Sequence, residues 1–102
     1  MFVRSKYLSL RHLESDGEET SRLAFAITRK VGTAVTRNRI RRRIRGALAE
    51  LDATGRPLPP GDSLIIVSPK CVNLDYQELV EDMDELLEKL EKSTDSDRKL
   101  ER

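Results

Sequence analysis

Arg29-Lys30-Val31-Gly32-Thr33-Ala34-Val35-Thr36-Arg37-Asn38-Arg39-Ile40-Arg41-Arg42-Arg43-Ile44-Arg45 governs the reading of the whole chain. Eight of these 17 residues are Arg or Lys, and none is acidic. Positive charge this dense repels itself and is best compensated by a polyanion, nucleic-acid phosphate first among them. The run is not a plain basic tail. Ile40, Ile44, Ala47, Leu48 and Leu51 fall at i, i+4, i+7, i+8 and i+11, which is one face of a helix. The spacing therefore predicts arginines carried on a half-buried helix of fixed geometry. Thr33 and Thr36 are both suited to cap it. It is expected to run to about Ala53, because Gly55 stands at the stop position and Pro57, Pro59 and Pro60 cannot continue a helix.

On the N-terminal side, Arg22 to Arg29 alternates as a strand. Leu23, Phe25 and Ile27 point one way, toward a helix-covered core. Ala24, Ala26 and Thr28 point the other way and leave a face that another chain can approach closely. Phe2 to Leu13 reads as one earlier strand, and the polar stretch Glu14 to Ser21 as a hairpin connection between the two. On the C-terminal side, Ser63 to Ser68 is apolar on both faces and predicts a central buried strand. Asp75 and Glu78 form an acidic capping box. Tyr76, Leu79, Val80, Met83, Leu86, Leu87 and Leu90 then give a helical apolar stripe. The order is β-β-α-β-α, an α/β two-layer sandwich whose second and third strands are parallel across the basic helix. Residues 1–92 are expected to form the domain and residues 93–102 a disordered charged tail.

At 102 residues this is a single domain. The net charge of +1 conceals an asymmetry. Residues 1–74 hold 14 basic and seven acidic side chains, while residues 75–102 hold five and 11. A polyanion-binding body is thus followed by an acidic helix facing elsewhere. The lone Cys71 excludes an internal disulfide. His12 has no second His or clustered Cys, which argues against zinc, and packing or RNA contact is the expected role. No apolar run approaches membrane-spanning length and no signal peptide opens the chain, so a cytoplasmic protein is expected. The acids Asp82, Asp84, Glu85 and Glu88 lie along a helix face without ligand-like spacing. No carboxylate pair, His pair or activated nucleophile stands beside the arginines. The residues describe a nucleic-acid-binding module with no catalytic or metal site of its own.

Within the basic helix, Arg37, Arg41 and Arg45 make one ridge, with Arg42 beside it and Arg39 and Arg43 on the far flank. Arginine suits planar, bidentate phosphate contact. Asn38 can donate and accept toward phosphate, ribose or a base edge. Phe2, Tyr7 and Phe25 are candidates to stack on bases, Phe25 being better suited to the core.

The same stretch resembles the signature of the bacterial ribonuclease P protein component, K-x-G-x-A-V-x-R-N-R-x-[KR]-R-x-x-R, at every fixed position from Lys30 to Arg45. The similarity extends from about Tyr7 through Leu90. It implies a fold similar to a domain of ribosomal protein S5, with a left-handed βαβ crossover against the usual rule. It also implies binding to the catalytic RNA of ribonuclease P through Arg37, Asn38, Arg39, Arg41, Arg42 and Arg45, with Arg29 and Lys30 at the family's basic pair. The 5′ leader of precursor tRNA would lie on the open sheet face, where Tyr7, Ala24, Ala26 and Thr28 are candidates. Mg²⁺ would be held mainly by the RNA, which performs the hydrolysis. Family members usually begin with a basic, aromatic-containing helix beside the leader cleft, and this sequence starts at the first strand. The resemblance thus bears on RNA-subunit binding more directly than on leader recognition. A structural RNA-binding protein of ribosomal type is the alternative.

Overall fold

A computed structural model describes residues 1–14 and 21–100. Its elements are β1 (Phe2–Arg4), β2 (Leu8–Glu14), β3 (Ser21–Ala26), α1 (Ala34–Ala53), β4 (Gly61–Val67) and α2 (Tyr76–Leu100), with short 3-10 turns at Arg29–Val31 and Pro69–Asn73. The four strands form one mixed sheet in the order β1-β2-β4-β3. β3 and β4 are parallel, as two strands flanking a helix should be, while β2 is antiparallel to both β1 and β4.

Two expectations change here. The single strand from Phe2 to Leu13 is a hairpin, with Phe2 opposite Arg11 and Arg4 opposite Ser9. Its turn, Ser5-Lys6-Tyr7, contains no Gly, Pro or Asn, and Ser5 alone is a weak turn signal. The Ser5 amide closes the turn on the Leu8 carbonyl at 2.9 Å, and α2 holds it from outside. Asp82 on α2 accepts from Ser5 Oγ at 2.6 Å, from the Lys6 amide at 3.1 Å and from the Tyr7 amide at 3.3 Å. Second, β2 and β3 are not hairpin partners, because β4 lies between them and pairs with each. Most of the connecting segment expected to be a hairpin loop lies outside the described residues. β4 is central as the apolar Leu64-Ile65-Ile66-Val67 run predicts, hydrogen-bonded on both edges, but it is buried on one face only: Ile65 and Val67 enter the core, while Leu64 and Ile66 are half-buried because no helix covers their side.

Both helices cover one face of the sheet. Ile40, Ile44, Ala47 and Leu51 of α1 and Leu79, Val80, Met83, Leu86, Leu87 and Leu90 of α2 share one core with Val3, Leu8, Leu10, Ile65 and Val67. Both apolar stripes read from the periodicity are thus the buried ones, with two refinements. Leu48 is only half-buried, and Tyr76 leaves the stripe altogether. Its hydroxyl donates to Glu50 Oε2 at 3.0 Å and sits over Gly46, so it ties α2 to α1 at the surface.

The caps settle what spacing left open. Thr33 is the N-cap of α1, its hydroxyl accepting from the Thr36 amide at 3.3 Å. At the other end Gly55, at φ +94, ends the helix. The Gly55 amide donates to the Asp52 carbonyl and the Arg56 amide to the Leu51 carbonyl, the paired bonds of a Schellman stop. Asp75 Oδ1 accepts from the Glu78 amide at 2.8 Å and starts α2. α2 is helical to Leu100, past the Lys92 limit expected from composition. Extending a helix already nucleated by packing costs little per residue.

Candidate nucleic-acid interface

α1 lies on the β3 side of the sheet. The Arg45 guanidinium stands 5.5 Å from the Phe25 ring centroid. Because β3 is an edge strand, the ridge Arg37, Arg41, Arg45 borders that edge, and the uncovered face of the sheet begins on its other side. Arg39, Arg42 and Arg45 are exposed, and Arg37 and Arg41 are half-buried. Arg29 and Lys30 project from the exposed 3-10 turn that joins β3 to α1. Among the described residues, no ion pair involves any basic residue from Arg29 to Arg45. The positive field of this surface is therefore not cancelled locally.

Two of these side chains already have hydrogen-bond partners, and a third is enclosed without one. Arg41 donates to Asn38 Oδ1 at 2.7 Å, which fixes the Asn38 amide and leaves its NH₂ to face outward. Arg43 donates to the Leu74 carbonyl at 3.2 Å and links α1 to the segment before α2. Arg37 has its Nε enclosed without a hydrogen-bond partner, a donor held in place with nothing to receive it.

The uncovered face is built from alternate residues of all four strands. One row reads Phe2, Arg11, Leu64, Ala24, and the next Arg4, Ser9, Ile66, Ala26. Ala24 and Ala26 therefore lie on the open face as their alternation predicted, and Thr28 is exposed just beyond the end of β3. Tyr7 sits apart from them. It packs against the core and lines a groove with Lys6, Glu78, Glu81, Asp82 and Glu85 of the α2 side. The Lys6 ammonium stands 5.2 Å from the Tyr7 ring centroid, and its pKa is raised, first by its contact with Tyr7 and further by Glu78 and Asp82. A groove lined by four carboxylates repels a polyanion, so the phosphate-attracting surface and this acidic one face different directions.

Sequence reasoning named Phe2 as a stacking candidate but passed over Arg4, Arg11 and Leu64 on the open face. Their place on one face depends on the β1–β2 hairpin, and that hairpin has little local signal.

His12 and Cys71 are interior groups. His12 Nδ1 lies 2.8 Å from Ser63 Oγ, and burial lowers its pKa below the usual value. Cys71 Sγ donates to the Tyr7 carbonyl at 3.3 Å, and burial pushes its thiol up to about 11, far from a reactive thiolate. Among the described residues no group of three or more His, Cys, Asp or Glu is placed to hold a metal ion. In the same residues no helix is long and apolar enough to cross a membrane.

An arginine ridge free of ion pairs on a packed helix, beside an open mixed sheet, defines a small α+β protein with an uncancelled cationic surface. The family model described as Ribonuclease P matches residues 2–91, and the chain belongs to that family. It is 35% identical over 86 residues to the ribonuclease P protein component of Thermus scotoductus, covering 84% of this chain and 48% of that protein. It is 31% identical over 77 residues to that of Shouchella clausii, covering 76% and 62%. The chain thus spans about half to two thirds of the length of these relatives. The fold matches the RNase P protein of Thermotoga maritima with a TM-score of 0.73 at 23% identity, over 87% of this chain and 82% of that one. It also matches a Staphylococcus aureus RNase P protein mutant with defective mRNA degradation activity, with a TM-score of 0.76 at 18% identity, over 89% and 75%.

Proposed function

We propose that this chain acts as the protein subunit of ribonuclease P. In this reading α1 binds the catalytic RNA, and the open sheet face receives the 5′ leader of precursor tRNA while the leader is removed. The observation that carries it is the unpaired arginine row of α1, held at fixed spacing by the burial of Ile40, Ile44, Ala47 and Leu51. Folded RNA crowds phosphates together, and arginines anchored in this way replace mobile counterions that would otherwise be localised there. The ridge continues around the β3 edge to Ala24 and Ala26, so one RNA surface can cover α1 while a single strand lies across the sheet.

The chemistry belongs to the RNA in this reading. Hydrolysis of a phosphodiester needs an activated water and stabilisation of developing negative charge, commonly by divalent ions with oxygen ligands. From Arg29 the first acid along the chain is Glu50, and its carboxylate accepts from Tyr76. Clustered guanidinium groups also disfavour a cation beside them. RNA phosphates are then the natural Mg²⁺ ligands, and the protein's part is to bind, orient and screen.

The test is cleavage of precursor tRNA by the purified protein, by the RNA, and by both. The expected result is no cleavage by protein alone at any Mg²⁺ concentration, and a lower Mg²⁺ requirement when protein is added to RNA. Specific 5′ cleavage by protein alone, resistant to prior RNase treatment and abolished by a carboxylate substitution, would overturn the reading.

A further inference from the structure

Two arginines of the ridge are held before any RNA is present, and by different means. Arg41 donates to Asn38 within α1 itself. Arg45 is held by a neighbouring element, at Phe25 of β3. Leu23 and Phe25 lie two residues apart on the helix-covered face of β3, opposite Ser63 and Ile65 of β4. β3 is an edge strand, so both side chains are only half-buried, packed against the core on one side. Leu23 fills its place with an aliphatic chain. Phe25 presents a ring, and the Arg45 guanidinium carbon stands over it, 5.5 Å from its centroid. That is within the ~6 Å at which a cation is attracted to an aromatic face. Arg45 is nevertheless exposed, and among the described residues it takes part in no ion pair.

We infer that Phe25 is a positioning residue, whose ring holds the Arg45 guanidinium at the β3 edge for contact with a phosphate. A free arginine side chain loses rotamer freedom when it grips a phosphate. The ring restricts that freedom before RNA arrives, so less is lost on binding. An aromatic ring engages a guanidinium through its face, whereas phosphate takes the N–H groups in its plane. The two contacts therefore do not compete. The ring carries no charge, so it strengthens the phosphate contact without adding to the number of such contacts. The pair also ties the ridge of α1 to the sheet edge, which fixes where Arg45 stands relative to the open face. This inference rests on the reading of α1 as the RNA-binding helix and names a residue that acts there only through Arg45.

The experiment is a double-mutant cycle on the full chain, with affinity measured for ribonuclease P RNA and for a plain RNA duplex over a range of salt. Phe25→Leu should weaken binding about threefold, the size of one exposed cation–ring contact. It should leave the salt slope at its parent value, because no charge is removed. Arg45→Ala should lower the slope by about one unit. In the Arg45→Ala background, Phe25→Leu should have no further effect on affinity. Any loss of fold stability from Phe25→Leu enters both backgrounds and cancels in the cycle. Phe25→Tyr, which keeps the ring, should bind as the parent does. In the free protein the Arg45 Nε–H resonance should lie upfield of the other arginines, shifted by the ring, and return to their range in Phe25→Leu. Equal weakening by Phe25→Leu in both backgrounds would mean that the ring acts through the fold, and would overturn the inference. Unchanged affinity of Phe25→Leu, or an Arg45 resonance that it does not move, would do the same. If the parent binds the duplex as tightly as ribonuclease P RNA, the proposed function fails, while the coupling of Phe25 to Arg45 still stands or falls on the duplex. No binding to either RNA would overturn both.

Discussion

Asp82 shows how one side chain can decide a local conformation that its neighbours in sequence do not. It is buried on α2, and it receives one hydroxyl and two amide hydrogens from the Ser5–Tyr7 turn. Asp82→Ala strands the Lys6 and Tyr7 amides next to the core. Loss of bonds to a charged acceptor should cost about 2–3 kcal/mol, read as a lower urea midpoint. His12 is 5% exposed with its Nε2 enclosed and unpartnered, so the folded chain holds it neutral. Burial is the main cause, opposed by the Glu14 and Asp62 carboxylates and the Pro60 backbone and aided by the chain's amino group. The folded pKa lies below the unfolded value near 6.5, so below that pH the unfolded chain takes up a proton that the folded chain refuses. Stability should be full above about pH 6.5 and fall as pH drops toward 5.5, by no more than ~1.4 kcal/mol per unit. His12→Gln should flatten this dependence between pH 7.5 and 5.5 in denaturant titrations. An equally steep fall in that variant would assign the titration to another group.

At the scale of elements, α1 joins two requirements on one cylinder, a buried stripe and a cationic ridge. Ile44 is at 0% exposure in the centre of the stripe. Burying such a side chain contributes about 1.5–3 kcal/mol, and an Asp there adds an unpaired charge in an apolar site. Against a total stability on the order of 5–15 kcal/mol, Ile44→Asp should abolish cooperative thermal unfolding. A normal transition at the parent midpoint would refute the assignment of this face. Both helices were legible in the sequence, because an apolar period of 3.6 residues sustained over several turns suits a helix and neither a strand nor a loop. Their N-caps were legible in part. Two threonines were equally eligible, and only the geometry of the turn after Arg29–Val31 placed Thr33 at the cap. The first hairpin was not legible, since its turn adds to its own Ser5–Leu8 bond three bonds to Asp82, 75 or more residues away on α2.

For the whole molecule, charge is sorted by position. The basic ridge and open sheet lie around the β3 edge, and the acids of α2 lie on the helix-covered side near Tyr7 and around Arg56. Arg56 Nε is 3.0 Å from Asp84 Oδ1, so that arginine is held by α2 and adds little to the basic field. If about six guanidinium groups, those of Arg29, Arg37, Arg39, Arg41, Arg42 and Arg45, contact phosphate, log affinity for RNA against log salt should slope at roughly −4 to −5. Arg42→Ala should reduce the slope by about one unit without shifting the unfolding midpoint, because Arg42 is exposed and unpaired. An unchanged slope would remove α1 from the interface. By itself the sequence determined the helices, their buried faces, the parallel relation of the strands around α1, and the cationic character of the Arg37–Arg45 run. These follow from periodicity and local charge, which each segment carries within itself. The tertiary structure alone decided the split of the first strand, the insertion of β4 between β2 and β3, and the diversion of Tyr7 to the acidic side. It also brought Phe2, Arg4 and Arg11 together with Leu64 and Ala24. Those features depend on partners far apart in the chain, Asp82 for the turn and β4 for the sheet order, and no local pattern encodes which distant partner a strand will find.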